Sequence, residues 1–117
     1  MPALAEALVA GVVLVVAPVA STASADGSVP PERQSDLLHL LKHDCGSCHG
    51  LTMKGGLGPP LLPDTLAGRA DADLAEIILE GVPGTPMPPW RSQLRAGEAD
   101  WLVRQLKQGL PTEGMAP

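Results

Sequence analysis

Apolar side chains recur at helical spacing in three separate parts of the chain. Within each set they lie three or four positions apart or directly beside one another, which places them on one face of a helix. The sets are Leu37, Leu40 and Leu41; Leu74, Ile77 and Ile78; and Trp101, Leu102 and Leu106. The pattern therefore predicts three helices, over about residues 31–44, 70–80 and 96–109.

Glycine and proline dominate the two segments between these helices. Residues 50–64 read GLTMKGGLGPPLLPD and residues 81–90 read GVPGTPMPPW. Neither segment suits a long regular element, and no stretch of the chain predicts a convincing strand. The expected fold class is all-α, with three main helices and two long loops. Loops of that length in a compact domain are usually functional.

The first residues of the chain resemble an export signal. Residues 7–20 carry no charge and are almost all apolar, but the run is shorter than the roughly 20 residues that span a bilayer. Ala23-Ser24-Ala25 matches a small-residue cleavage site. We expect residues 1–25 to be a cleaved signal peptide and residues 26–117 to form one domain. Glu6, with no Lys or Arg before residue 20, departs from the usual signal pattern, so an uncleaved anchor is the alternative.

Composition narrows the class of partner and suggests a bound group. The chain has 8 Lys and Arg against 13 Asp and Glu, and no basic cluster, which argues against nucleic acid as a partner. It contains two Trp and neither Phe nor Tyr. Because so small a domain buries a limited core, a prosthetic group is expected to fill part of it.

The two cysteines stand in the sequence Cys45-Gly46-Ser47-Cys48-His49. Thiols three residues apart lie on one side of a helical turn, and an adjacent histidine completes the haem c attachment signature. A thioredoxin-like motif would follow a strand, a zinc ribbon would need a second ligand pair, and a disulfide here would close a very small loop. The motif therefore predicts one covalent haem c held through Cys45 and Cys48.

Two residues are expected to bind the haem iron. His49 is the predicted proximal ligand, and its second ring nitrogen needs an acceptor, for which we expect the carbonyl of Pro59. Met87 is the predicted ligand on the opposite face, because prolines on both sides restrict the backbone that carries it. The competing ligands are Met53, Met115, His39 and His43.

Other side chains are expected to surround the haem. Trp90 is expected to line its pocket, and Trp101 to pack the last helix against the first helix or the haem edge. Lys54, Arg91 and Arg95 are candidates for its carboxylates.

Four features of the sequence resemble a class I monohaem cytochrome c. They are Cys45-x-x-Cys48-His49, Gly58-Pro59-x-Leu61, Met87-Pro88 and a final helix containing Trp101. The runs CGSCHGLTMKGGLGPPLLPDTLAGR and PGTPMPPW are similar to the short periplasmic cytochromes of the c-55X type, which occur in denitrifying bacteria with the haem-d-containing nitrite reductase. This resemblance implies the cytochrome c fold around one haem.

The resemblance also implies a role in transferring single electrons. The expected protein is periplasmic, is not an enzyme, and donates electrons to nitrite reductase, without stable membrane association once its signal is cleaved. Two alternatives stay open: an accessory factor in the maturation or insertion of haem d, and a haem-based sensor or peroxidase with a labile Met87.

Overall fold

The computed structural model describes residues 10–18 and 29–110 of the 117-residue chain. Its regular elements are all helical, and these two segments contain no strand. In chain order the α-helices are α1 (Pro31–Leu40), α2 (Gly46–His49), α3 (Pro63–Leu66), α4 (Asp71–Glu80) and α5 (Glu98–Gln108). A π-helical turn (Leu41–Cys45) joins α1 to α2, and a 3₁₀ turn (Arg91–Gln93) precedes α5.

Helix α1, the π-helical turn and α2 run on without a break as far as His49. Pro31 begins α1, where its fixed φ suits the helix and its missing N–H costs nothing. The predicted helix is confirmed, but the π-helical turn was not predicted. There the N–H of Gly46 donates to the carbonyl of Leu41, five residues earlier. The turn therefore contains one residue more than a turn of α-helix, in which this spacing is four residues.

Helix α4 confirms the second predicted helix almost residue for residue. Asp71 and Asp73 occupy its first turn, where their charge suits the positive end of the helix dipole. Gly81 ends it with a φ of 68°, a conformation that favours glycine.

The short helix α3 was not predicted. The Thr65 hydroxyl accepts a hydrogen bond of 2.9 Å from the N–H of Leu62 at its start. A single turn such as this one leaves no periodic pattern in the sequence.

Helix α5 confirms the third predicted helix but begins two residues later. Gly97, in the left-handed conformation with a φ of 81°, precedes it. The Glu98 carboxylate accepts a hydrogen bond of 2.9 Å from the N–H of Arg95, which fixes the turn before the helix. Gly109 follows its last residue with a φ of 88°.

The apolar core lies between α1, α4 and α5. Its most completely buried large side chains are Leu37, Leu41, Leu102 and Val103. Glu98 is also buried, with 3% of its surface exposed, and its two carboxylate oxygens accept hydrogen bonds from Arg33 Nε at 2.8 Å and Nη2 at 2.9 Å. This ion pair joins α1 to α5 and lowers the pKa of Glu98, chiefly through the hydrogen bonds from Arg33.

The predicted signal peptide falls mostly outside the described residues. Residues 10–18 form no regular element and are exposed. A search of the described part of the chain finds no helix of the length and hydropathy that a membrane span requires.

Candidate cofactor site

A cavity of about 820 Å³ lies between the helices and the two loops. Its volume is within the range of protein sites for small molecules and cofactors, and most of its lining is apolar. All three predicted helices contribute, for example through Leu41, Ile78 and Leu102. The three residues of the attachment motif line the same cavity: Cys45, Cys48 and His49.

The two cysteines lie at the end of the π-helical turn and on α2, and no disulfide joins them. Burial, followed by the charge of Asp44, raises the pKa of the Cys45 thiol to about 11. A reactive or redox-active cysteine has a lowered pKa, so Cys45 does not resemble the nucleophile of a thiol enzyme. Its position at the cavity fits a thiol that binds a group inside it.

The loop after α2 folds back over the ring of His49. Nδ1 of His49 lies 2.7 Å from the carbonyl oxygen of Pro59, the acceptor that the sequence suggested. Gly55 donates to the carbonyl of His49 at 2.8 Å, and Gly58 donates to that of Cys48 at 2.9 Å. A Cβ added at Gly58 would lie 2.7 Å from two atoms of the imidazole, so only glycine lets the loop approach this closely.

Met53 packs within this loop. It is the non-glycine residue of the described segments with a positive φ, 60°, and only 2% of its surface is exposed. Its N–H donates to Gly50, and its carbonyl accepts from Leu61, both at 2.9 Å. Met53 does not line the large cavity, so it belongs to the packing of the loop.

The second loop presents Met87 to the cavity. The N–H of Val82 donates to the carbonyl of Met87 at 3.1 Å, and the N–H of Met87 donates to the Thr85 hydroxyl at 3.3 Å. A Cβ added at Gly81 would lie 2.7 Å from the Met87 carbonyl oxygen. The loop is therefore packed tightly against the end of α4.

Trp90 closes the same loop. Its N–H donates to the carbonyl of Ile78 on α4 at 3.0 Å, and its side chain lines the cavity, where the sequence placed it. Trp101 is 7% exposed and belongs to the core, but it does not line the cavity. Trp101 therefore packs in the core without contacting the cavity.

The remaining candidates that the structure describes do not line the cavity. His39 and His43 are both exposed on the first helical segment, and neither lines it. None of the basic residues suggested by the sequence lines it either: Lys54, Arg91 and Arg95. Arg91 instead pairs with Glu80. Met115 lies outside the described residues.

Arg69 is the basic side chain that sequence reasoning missed. It lines the cavity and lies in the turn between α3 and α4, two residues before α4 begins. Lys107 Nζ lies 2.5 Å from both the Arg69 carbonyl oxygen and a carboxylate oxygen of Asp71, which fixes the backbone at this point. No local motif marks Arg69, because its place at the cavity depends on how α3 and α5 pack.

These residues fit a haem c. One cavity collects two thiols, an imidazole whose second nitrogen has an acceptor, and a thioether, and this set is the donor set of a c-type haem with histidine and methionine ligands. Across the described segments, no group of three or more His, Cys, Asp or Glu side chains forms an alternative metal site.

Comparison with known proteins points in the same direction. The family profile for "Cytochrome C oxidase, cbb3-type, subunit III" matches residues 32–106. The chain is 52% identical to a cytochrome c55X of Paracoccus denitrificans over 66% of this chain and 77% of that protein. A solved structure of a c-type cytochrome, NirC, superposes with a TM-score of 0.67 at 47% identity, covering 76% of this chain and all of that one.

A larger protein contains a similar region. The dihydro-heme d1 dehydrogenase of Pseudomonas aeruginosa is 42% identical over 63% of this chain, which corresponds to 15% of that enzyme. The likeness therefore concerns one small part of the dehydrogenase.

Proposed function

Because the chain belongs to the cytochrome c55X family of c-type cytochromes, we propose that it is an exported monohaem electron carrier that donates single electrons to nitrite reductase. The family is one of electron-transfer proteins related to denitrification. The observation that carries the proposal is the meeting of Cys45, Cys48, His49 and Met87 at one apolar cavity.

Each of these side chains has a separate task in the proposal. Cys45 and Cys48 would hold the haem covalently, and His49 and Met87 would be the ligands of its iron. The bound haem supplies an iron that changes by one electron between ferric and ferrous. The Pro59 carbonyl orients His49 through Nδ1, and the hydrogen bonds to the N–H and carbonyl of Met87 fix the backbone that carries the thioether. The apolar lining of the cavity would keep water away from the bound group.

The proposed partner surface is the rim of the cavity. Leu57 lines the cavity although 87% of its surface is exposed, and Val82 lines it with 38% exposed. Apolar side chains at this position let another protein approach closely without a large desolvation cost. Nitrite reductase is the proposed partner because the relatives share a denitrification context.

The spectrum of the attached haem tests the iron ligands. We expect Met87→Ala to lose the low-spin methionine spectrum, including the weak iron–thioether charge-transfer band, while the control Met53→Leu keeps both because Met53 does not line the cavity. Optical spectra of the oxidised and reduced proteins, with a haem-stained denaturing gel, provide the measurement. An unchanged Met87→Ala spectrum would contradict the assignment, and a high-spin wild type would indicate a sensor or peroxidase.

Arg69 is proposed to pair with a carboxylate of the haem. Because the oxidised centre carries one more positive charge, removing a nearby cation favours it. We expect Arg69→Gln to lower the midpoint potential by tens of millivolts in order of magnitude, and less at high salt. Arg104→Gln makes the same charge change at an exposed site away from the cavity. Equal shifts of the midpoint potential in the two variants would show that Arg69 does not act through contact with the haem.

A second candidate function is participation in the maturation of haem d. It is favoured by the likeness to one part of the dihydro-heme d1 dehydrogenase. Deletion of the gene separates the two functions. Loss of nitrite reduction with a normal haem d content supports the electron carrier, whereas loss of haem d itself supports the maturation role.

Export of the chain is part of the proposal. We propose that residues 1–25 are removed and that residues 26–117 act in the periplasm. Amino-terminal sequencing of the protein from a periplasmic fraction tests this: a start at Asp26 agrees with it, and retention of the apolar residues 7–20 contradicts it.

A further inference from the structure

We propose that His39 and His43 form a second metal site, which binds one divalent transition-metal ion at the protein surface, separately from the haem. The two imidazole rings lie side by side, with a distance of 4.2 Å between their centroids. Both side chains are exposed, and neither lines the large cavity.

The helical geometry explains why the two rings meet. Histidines at positions i and i+4 of a helix share one face, and this spacing supplies two zinc ligands in known metal sites. In an α-helix of 3.6 residues per turn, four residues overshoot a full turn by about 40°. The π-helical turn begins at Leu41, between the two histidines. Because it takes more residues per turn, it reduces this overshoot and brings the rings closer to alignment.

The chemistry favours copper, nickel or zinc over calcium or magnesium. Imidazole nitrogen suits Cu²⁺, Ni²⁺ and Zn²⁺, whereas Ca²⁺ and Mg²⁺ prefer oxygen ligands. No third His, Cys, Asp or Glu completes the site in the part of the chain that the structure describes. Water therefore takes the remaining positions, and the site is an open one that exchanges its ion. By the usual order of divalent affinities, Cu²⁺ binds most tightly.

The chain has only three histidines, which makes the assignment easy to isolate. The third, His49, lines the cavity, and its Nδ1 is already paired with the Pro59 carbonyl. In the haem-loaded protein, an imidazole that binds an added ion must therefore belong to His39 or His43.

Calorimetric titration of the oxidised, haem-loaded protein with CuCl₂ tests the site, with ZnCl₂ as the second probe. We expect one Cu²⁺ per chain and weaker binding of Zn²⁺. His39→Gln and His43→Gln should each weaken Cu²⁺ binding at least tenfold, and the double variant should be little worse than either single one, because each change already destroys the chelate. Copper electron paramagnetic resonance should show two nitrogen ligands.

Asp36→Asn is the matched control. Asp36 lies one turn before His39 and is exposed, with a carboxylate 3.9 Å from Arg33, and its substitution should leave the affinity unchanged within twofold. Three results would overturn the proposal: two independent ions per chain, Cu²⁺ binding that survives in the double histidine variant, or a loss in Asp36→Asn as large as that in the histidine variants.

Discussion

At the scale of single residues, the site depends on the lack of a side chain at Gly58. This lets the loop pack directly against the ring of His49. The imidazole occupies the space where a Cβ at position 58 would lie, at 2.7 Å. The contact also keeps the Pro59 carbonyl beside Nδ1 of His49. The position of the proposed proximal ligand thus depends both on the glycine at position 58 and on the hydrogen bond to the Pro59 carbonyl.

We expect Gly58→Ala to displace either the loop or the ring of His49. Overpacking of this kind costs about 1–3 kcal/mol in the free energy of unfolding, and it should also perturb the haem spectrum. Chemical denaturation and optical spectra of the haem-loaded protein measure the two effects. Gly68→Ala is the control, since a Cβ there meets nothing within 4 Å. If both variants keep the wild-type spectrum and stability, the close contact at Gly58 has no consequence.

Residues with a local chemical signature could be expected at one site, whereas residues placed there by packing could not. Cys45, Cys48 and His49 form a contiguous motif, and the Met87 loop is marked by prolines. Arg69 was missed because its place at the cavity depends on the packing of helices distant in sequence. Lys54, which the sequence offered as a candidate, does not line the cavity.

At the scale of elements, the loop between α4 and α5 is held through the end of α4. Gly81 ends that helix, and its positive φ allows the carbonyl of Met87 to lie against it. The Val82 and Trp90 N–H groups then bind the carbonyls of Met87 and Ile78. The end of one helix therefore sets the position of the proposed distal ligand.

Gly81→Ala should loosen the Met87 ligand, because a Cβ would meet the Met87 carbonyl oxygen at 2.7 Å. We expect the reduced protein to bind carbon monoxide faster. We also expect its iron–thioether band to be weakened or lost. Gly84→Ala separates this clash from backbone strain: Gly84 has a similar φ of 79° but nothing within 4 Å of its Cβ. It should cost about 1–2 kcal/mol of stability and keep Met87 bound. Equal carbon monoxide binding in both variants would assign the effect to backbone strain alone.

Periodicity predicted the long helices and failed on the short elements. Helices α4 and α5 have apolar faces of several turns, which a sequence displays clearly. The π-helical turn Leu41–Cys45 and the single turn α3 are each too short to show a period. They are marked only by local hydrogen bonds, from the N–H of Gly46 to the carbonyl of Leu41 and from the N–H of Leu62 to the Thr65 hydroxyl. The later start of α5 depends on Glu98 bonding back to Arg95.

At the scale of the whole molecule, the Arg33–Glu98 ion pair joins the first helix to the last across 65 residues of chain. The sequence does not indicate this pair, because two residues so distant in the chain leave no local pattern. In the structure, Glu98 is the buried charged side chain among the described core residues.

The ion pair predicts how stability depends on pH. Since the pKa of Glu98 is lower in the folded protein, its contribution is present at and above the ordinary carboxyl range and is lost as pH falls through the lowered value. Glu98→Gln should lower the free energy of unfolding at pH 7 by about 1–3 kcal/mol and flatten its decline toward acid. Denaturant titrations between pH 2 and 7 test this, with the exposed Asp100→Asn on the same helix as control. A wild-type acid slope retained in Glu98→Gln would contradict it.

The cavity has a further consequence for how quickly the protein is degraded in the cell. The cavity of about 820 Å³ is open, and its lining is mostly apolar. Without haem this apolar surface faces water, at about 25 cal/mol per Å², so the chain lacks burial that is large beside the 5–15 kcal/mol by which ordinary domains are stable. A chain that has not received its haem should therefore remain open to proteases, while a loaded chain survives. The amount of this cytochrome that accumulates would then follow the supply of haem as well as the rate of its synthesis, and degradation would remove the chains that cannot carry electrons.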